Sequence, residues 1–143
     1  MLLKRGLAAT VTEFVMAAEY IASHGNPNII LCERGIRSFD SYTRNVLDLG
    51  AVVALKQITH LPVLVDPSHA TGKRELVAPL ARAAIAAGAD GLIIECHPEP
   101  DQSVSDARQT LSLTAMTELV QTLKPIAQAV GRSVGRSVVP TTT

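Results

Sequence analysis

Ionisable and hydroxyl residues gather at four places along the chain, each directly after an apolar run. Lys4-Arg5-Gly6 follows Leu2–Leu3, and Glu33-Arg34-Gly35 follows Asn28–Cys32. Asp66-Pro67-Ser68-His69 follows Leu61–Val65, and Glu95-Cys96-His97-Pro98 follows Gly91–Ile94. Lys4 and Arg34 are cations suited to a phosphate or carboxylate, Arg34 with a bidentate fork. His69 and Glu95 offer a nitrogen and an oxygen to a borderline or hard divalent metal, and Asp106 can add a second carboxylate. Glu33, Asp66 and Ser68 complete the polar set as expected substrate-binding residues with Lys4 and Arg34, and Lys4, Arg34 and Asp66 are the catalytic candidates. A metal beside cations suggests a phosphorylated, anionic substrate and a polarised carbonyl. Plainer readings stand beside this one. Lys4 and Arg5 can be solvated residues, Glu33 and Arg34 a structural ion pair, His69 a hydrogen-bonded structural histidine, and His97-Pro98 a turn. No Gly-rich Walker or dinucleotide loop follows any of the apolar runs.

The elements that position these residues read as strand and helix, four times over. The apolar runs after the first are continuous rather than alternating, as expected of strands in a parallel sheet. Between them lie amphipathic segments. Thr10-Val11-Thr12-Glu13 predicts a capping box opening a helix that runs to about His24, with Gly25 as its αL cap. Further helices are expected over Val46–Ile58, over Arg74–Ala87 with a stop at Gly88, and over Ser112–Val130, where Pro125 marks a kink or break. Strand starts recur at the spacing of a βα unit. The fold class is α/β: four βα units on a parallel sheet, either a small open doubly wound sheet or half of a (β/α)8 TIM barrel. Both architectures bring the carboxyl ends of the strands, and so the polar set, to one cleft. Residues 1–130 form the domain, and 131–143, small and partly repetitive, are expected to be a flexible tail.

Composition excludes several classes. With 47% hydrophobic residues the chain is not disordered throughout. Thirteen basic residues balance thirteen acidic ones and aromatics are 3%, so neither a basic stripe nor a stacking platform for nucleic acid is present. No apolar run approaches the length of a membrane span. A signal-peptide core is missing after Met1–Arg5, which predicts a cytoplasmic protein. Cys32 and Cys96 are expected to be reduced and buried as small apolar residues.

The strand-end motifs also carry a resemblance. LLKRG (Leu2–Gly6), LCERGIRSF (Leu31–Phe39), VDPSHATG (Val65–Gly72), IIECHPEP (Ile93–Pro100) and SDARQTL (Ser105–Leu111) are similar, in order and spacing, to the last four strand-end motifs of 3-deoxy-7-phosphoheptulonate (DAHP) synthases of the short bacterial and archaeal type. The resemblance implies a (β/α)8 barrel that condenses phosphoenolpyruvate with erythrose 4-phosphate, releases phosphate and opens the shikimate pathway to aromatic amino acids. It implies a divalent metal (Mn, Fe, Co or Zn) on His69, Glu95 and Asp106. Lys4 resembles the residue that contacts phosphoenolpyruvate, Arg34 the one gripping its phosphate, and Asp66 lies near the position facing the aldehyde. The family's fourth ligand, a cysteine of the first barrel strand, and its KPRTS-type loop have no counterpart here. The chain therefore corresponds to the C-terminal half of the barrel, expected to pair with a second copy or with a complementing N-terminal half. An octulosonate-phosphate synthase using arabinose 5-phosphate, or a catalytically inactive half-barrel, are the alternatives.

Overall fold

The computed structural model describes residues 1–132; the remainder of the expected tail lies outside the described residues. The elements are β1 (Leu2–Lys4), α1 (Val11–Ser23), β2 (Ile30–Glu33), α2 (Leu49–Ile58), β3 (Val63–Val65), α3 (Pro67–Thr71), α4 (Arg74–Ala86), β4 (Gly91–Leu92), a 3-10 turn (Pro100–Gln102) and α5 (Leu113–Ala129). The four strands form one parallel sheet in the order β1-β2-β3-β4. Each strand is thus hydrogen-bonded to its successor in the chain.

Register decides which architecture this is. Leu3, Leu31 and Val63 share one row across the sheet, and Glu33, Val65 and Leu92 the next row on the same face. That face carries the core: Leu31, Val63 and Val65 pack with Phe14 and Ala18 of α1, Val52 and Leu55 of α2, and Ala84 of α4. A second cluster joins Val77 and Ala81 of α4 to Leu111 and Leu119, with Leu92 and Ile94 against it. All the long helices therefore lie on one face. The opposite face carries Lys4, Cys32, Leu64 and Gly91 in one row, and Leu2 and Ile30 there remain 42% and 36% exposed. A doubly wound sheet covers both faces. Sequential strands with helices on one side only are half of a (β/α)8 barrel, its interior face open.

Local signals explain most boundaries. Thr10 caps α1, with Glu13 N–H donating to its Oγ1 at 3.2 Å and Glu13 Oε2 accepting from Thr10 N–H at 2.8 Å. Three expectations need correction and one element is added. First, α2 begins at Leu49 under an Asp48 cap, not at Val46, because Val46 is taken into an antiparallel bridge with Ile36. Secondly, a short helix, α3, follows β3 directly, started by the Asp66 side chain and stopped by Gly72 at φ +65°. Thirdly, α5 is not broken at Pro125 but continues to Ala129. Fourthly, β4 stops at Leu92, and Cys96, beyond it, is exposed rather than buried.

Cys32 and Cys96 are both free thiols. Burial, reinforced by the nearby Asp66 carboxylate, pushes the Cys32 thiol up to about 12. The thiolate is the reactive form, so Cys32 is protected twice, by access and by protonation. Brief iodoacetamide treatment of the native chain at pH 8 should alkylate Cys96 and spare Cys32, as read by peptide mass spectrometry. Equal labelling of both would contradict the closed packing around Cys32.

Candidate metal centre

β3 ends at Val65, and the carboxylate immediately after it organises the site. Asp66 is fully buried. Its Oδ1 accepts from His69 N–H at 2.9 Å, which caps α3. Its Oδ2 accepts from Lys4 Nζ at 2.7 Å and faces His69 Nδ1 at 2.7 Å. The carboxylate fixes the orientation of the imidazole: Asp66 can accept from an Nδ1–H, the tautomer that would offer the Nε2 lone pair to a metal ion. Nε2 then faces two carboxylates, Glu95 Oε1 at 3.2 Å and Asp106 Oδ2 at 3.7 Å. The ligand-capable atoms of His69, Glu95 and Asp106 all lie within 4.8 Å of one another.

The outer partners show how well this set fits a cation. Glu95 Oε2 is held by Gln109 Nε2 at 2.7 Å, so Oε1 alone faces the cluster. Asp106 Oδ1 is held by Arg44 Nη1 at 3.1 Å, so Oδ2 alone faces it. The Glu95 backbone N–H donates to Ser68 Oγ at 3.1 Å, which fixes the segment beyond β4 that carries the carboxylate. Each ligand candidate therefore spends one polar atom on an outer residue and directs the other inward. Two inward carboxylates repel unless a cation stands between them. One imidazole nitrogen with two carboxylate oxygens is a donor set for Mn, Fe, Co or Zn, and the residues present fit such an ion.

Sequence reasoning missed Arg44, Asn45 and Gln109. Asn45 is buried, and its Nδ2 donates to His69 O at 3.1 Å. Backbone bonds Arg44 N–H to Thr71 O and Asn45 N–H to Ala70 O, at 3.0 and 2.7 Å, strap the 36–46 loop onto α3. Gly35, at φ +89°, lets the loop approach: a Cβ there would lie 2.7 Å from Asn45 Cβ and 3.1 Å from the Ala70 backbone. Asp106 is the one non-glycine with positive φ, +54°, among the described residues. A polar Asp tolerates this left-handed conformation better than most residues.

The remaining sequence candidates lie at the same strand ends. Lys4 is 38% exposed along its side chain and bound to Asp66. Arg34 is partly exposed and has no hydrogen-bond or ion-pair partner among the described residues. Ser68 is fully buried. Glu33 is fully buried as well, and it pairs with Arg5 rather than with Arg34. Its Oε2 accepts from Arg5 Nη1 at 2.9 Å and its Oε1 from Gly35 N–H at 2.7 Å. Arg5 also binds Asp48 at 3.0 Å and so is not a solvated chain-start residue. Burial opposes the Arg5 charge, but the two carboxylates more than restore it and hold its pKa above the ordinary value.

Fold and site together define a (β/α)8-type half-barrel with a candidate metal centre at the carboxyl ends of its strands. Comparison with known proteins gives the family. Residues 1–131 match the DAHP synthetase I family, and the chain belongs to it. A phospho-2-dehydro-3-deoxyheptonate aldolase of Thermotoga maritima is 56% identical over 130 residues, 91% of this chain and 38% of that protein. A 2-dehydro-3-deoxyphosphooctonate aldolase of Alkalilimnicola ehrlichii is 41% identical over 117 residues, 74% of this chain and 41% of the relative. The solved truncated form of 3-deoxy-D-arabino-heptulosonate 7-phosphate synthase from T. maritima superposes with a TM-score of 0.92 at 55% identity, covering 94% of this chain and 51% of that one. The chain thus spans about two fifths to one half of the proteins it matches.

Two variants test this geometry. Gln109→Leu keeps the volume and removes the donor on Glu95. It should weaken Mn²⁺ binding by about 10–100-fold with the thermal midpoint of the metal-free chain nearly unchanged; unchanged affinity in a titration followed by electron paramagnetic resonance would argue against an oriented Glu95. Gly35→Ala forces a left-handed Ala against Asn45 and α3, and should cost on the order of 2–4 kcal/mol in urea unfolding. A cost below about 0.5 kcal/mol, the scale of ordinary surface changes, would contradict the close approach.

Proposed function

We propose that this chain is the C-terminal half of a 3-deoxy-7-phosphoheptulonate synthase, condensing phosphoenolpyruvate with erythrose 4-phosphate and releasing phosphate, the first step toward aromatic amino acids. The observation that carries the reading is the inward-facing His69–Glu95–Asp106 set beside Lys4 and Arg34. Identity favours the heptulosonate reaction, at 56% against 41% for the octulosonate relative.

In this reading His69 Nε2, Glu95 Oε1 and Asp106 Oδ2 hold the divalent ion. When bound, such an ion supplies Lewis acidity toward an aldehyde carbonyl or an activating water. Arg34, partly exposed and unpaired among the described residues, grips the phosphoenolpyruvate phosphate with its planar fork. Lys4, its Nζ steadied 2.7 Å from Asp66 Oδ2, adds a second cation to the same substrate. Together they offset the charge that grows on the phosphate as its C–O bond to the enol breaks. Asp66, Glu33 and Ser68 have no exposed surface. They act on substrate through others: Asp66 through Lys4 and His69, Glu33 through Arg5 and the Gly35 turn, Ser68 through the Glu95 backbone.

The open sheet face bears on partners. Exposed Leu2 and Ile30 beside two unpaired strand edges are a liability for an isolated half-barrel. The proposal includes a complementing N-terminal half, or a second copy, that closes them. It places the protein in the cytoplasm, in keeping with two free thiols; no helix among the described residues is long and apolar enough to cross a membrane.

The test is an assay with Mn²⁺, phosphoenolpyruvate and erythrose 4-phosphate, followed by phosphate release, with and without a supplied N-terminal half. Turnover is expected when the missing strands are supplied, and it should favour erythrose 4-phosphate over arabinose 5-phosphate. A folded, metal-loaded complex that turns over neither aldehyde would overturn the synthase reading in favour of an inactive half-barrel.

A further inference from the structure

A cavity of about 490 Å³ opens beside the metal-type cluster and shares only Asp106 with it. Three cations from three separate loops line it: Arg44, Lys73 and Arg108. Against their three positive charges the lining offers one carboxylate, Asp106, on a chain whose formal net charge is zero. Arg44 Nη1 is on Asp106, but no carboxylate pairs with Lys73 or Arg108 among the described residues. Like charges gathered on one cavity repel one another, and the fold anchors the backbone or the side chain of each. The Arg44 backbone is strapped to Thr71 O at 3.0 Å, and Gly72 leaves room for its stem, since a Cβ on Gly72 would meet Arg44 Cβ at 3.0 Å. The Lys73 ammonium sits 3.4 Å over the Tyr42 ring centroid, a cation–π contact that fixes it without neutralising it. The Arg108 carbonyl accepts from Arg74 N–H at 2.9 Å, which anchors its loop to the start of α4. Ser41 and Thr43 add hydroxyl donors to the lining.

We propose that this cavity is an anion subsite for a phosphate group, distinct from the strand-end cations Lys4 and Arg34. Two unpaired cations, a guanidinium with spare donors and hydroxyls match a multiply charged oxyanion that accepts from several directions. The occupant is either free inorganic phosphate or the phosphate of an ester whose other end reaches the metal centre past Asp106. None of the residues given roles toward phosphoenolpyruvate above lines the cavity, so this subsite can fail while that reading stands.

The test is calorimetric titration of the full 143-residue chain with inorganic phosphate, at constant ionic strength in chloride. Saturable binding is expected. The Lys73→Gln/Arg108→Gln variant should weaken the cavity's binding event by about tenfold or more, the scale of losing charge-assisted bonds, while Arg34→Gln removes at most a separate event at the strand-end cations and leaves this one in place. Absence of saturable binding, an unaffected double variant, or loss only in Arg34→Gln would overturn the proposal. Circular dichroism of both variants guards against misfolding, and single Lys73→Gln is the fallback if the double variant unfolds. Repeating the titration with erythrose 4-phosphate with and without Mn²⁺ separates the two sources. Metal-dependent tightening identifies an ester spanning to the metal centre, and metal-independent affinity equal to that for phosphate identifies the free ion.

Discussion

The site turns on one buried carboxylate. Asp66 has no exposed surface, and burying a carboxylate is costly unless its charge and lone pairs are answered. Here they are answered by the His69 N–H, the His69 ring and Lys4 Nζ, at 2.9, 2.7 and 2.7 Å. These contacts tie three parts of the fold together. Lys4 comes from the end of β1, Asp66 from the end of β3, and His69 from the third residue of α3. The helix can start only where the carboxylate caps it, and the cap presents the imidazole with Nε2 outward. The geometry of the candidate metal cluster depends on that orientation. Removing the Asp66 carboxylate would leave Lys4 without its counter-charge, the His69 ring without its hydrogen-bond partner and α3 without its cap.

A second layer does for the carboxylates what Asp66 does for the histidine. Gln109 and Arg44 each occupy one oxygen, of Glu95 and Asp106 respectively, and leave the other for the centre. Preorganisation of this kind holds ligands in place before an ion arrives, so less ordering remains at binding. Arg44 also lines the cation-rich cavity, so the metal-type cluster and the proposed phosphate subsite meet at one residue pair, Arg44 on Asp106.

The parts of this arrangement carried by short sequence were legible in it. Apolar runs ending in polar groups marked the strands and the cleft, and Thr10 with Glu13 marked a helix start. What depended on chain folding back was not legible. Arg44 and Asn45 reach the site through a loop admitted by left-handed Gly35 and Gly72, Gln109 through the turn after Asp106, and local sequence does not reveal which side chains such loops will meet. The partner of Glu33 shows the same limit in a different form. Neighbours along a strand point to opposite faces, so Arg34 cannot share its face, whereas Arg5, one residue past the Lys4–Cys32 pair, lies in the Glu33 row. Val46 was lost to a bridge with Ile36 rather than joining α2, a non-local pairing overriding helix pattern. The choice between a doubly wound sheet and a half-barrel likewise needed the register, because only that puts all four long helices on one face.

His69, Glu95 and Asp106 are proposed to form a preoriented metal centre whose inward atoms are set by outer hydrogen bonds. Crystals of the chain soaked in Mn²⁺, with anomalous difference density, test it most directly. One strong peak is predicted at about 2.0–2.3 Å from His69 Nε2, Glu95 Oε1 and Asp106 Oδ2, a normal range for first-row divalent ions, with Gln109 and Arg44 still on the outer oxygens. A peak elsewhere, or one bound through the oxygens that Gln109 and Arg44 now hold, would contradict it.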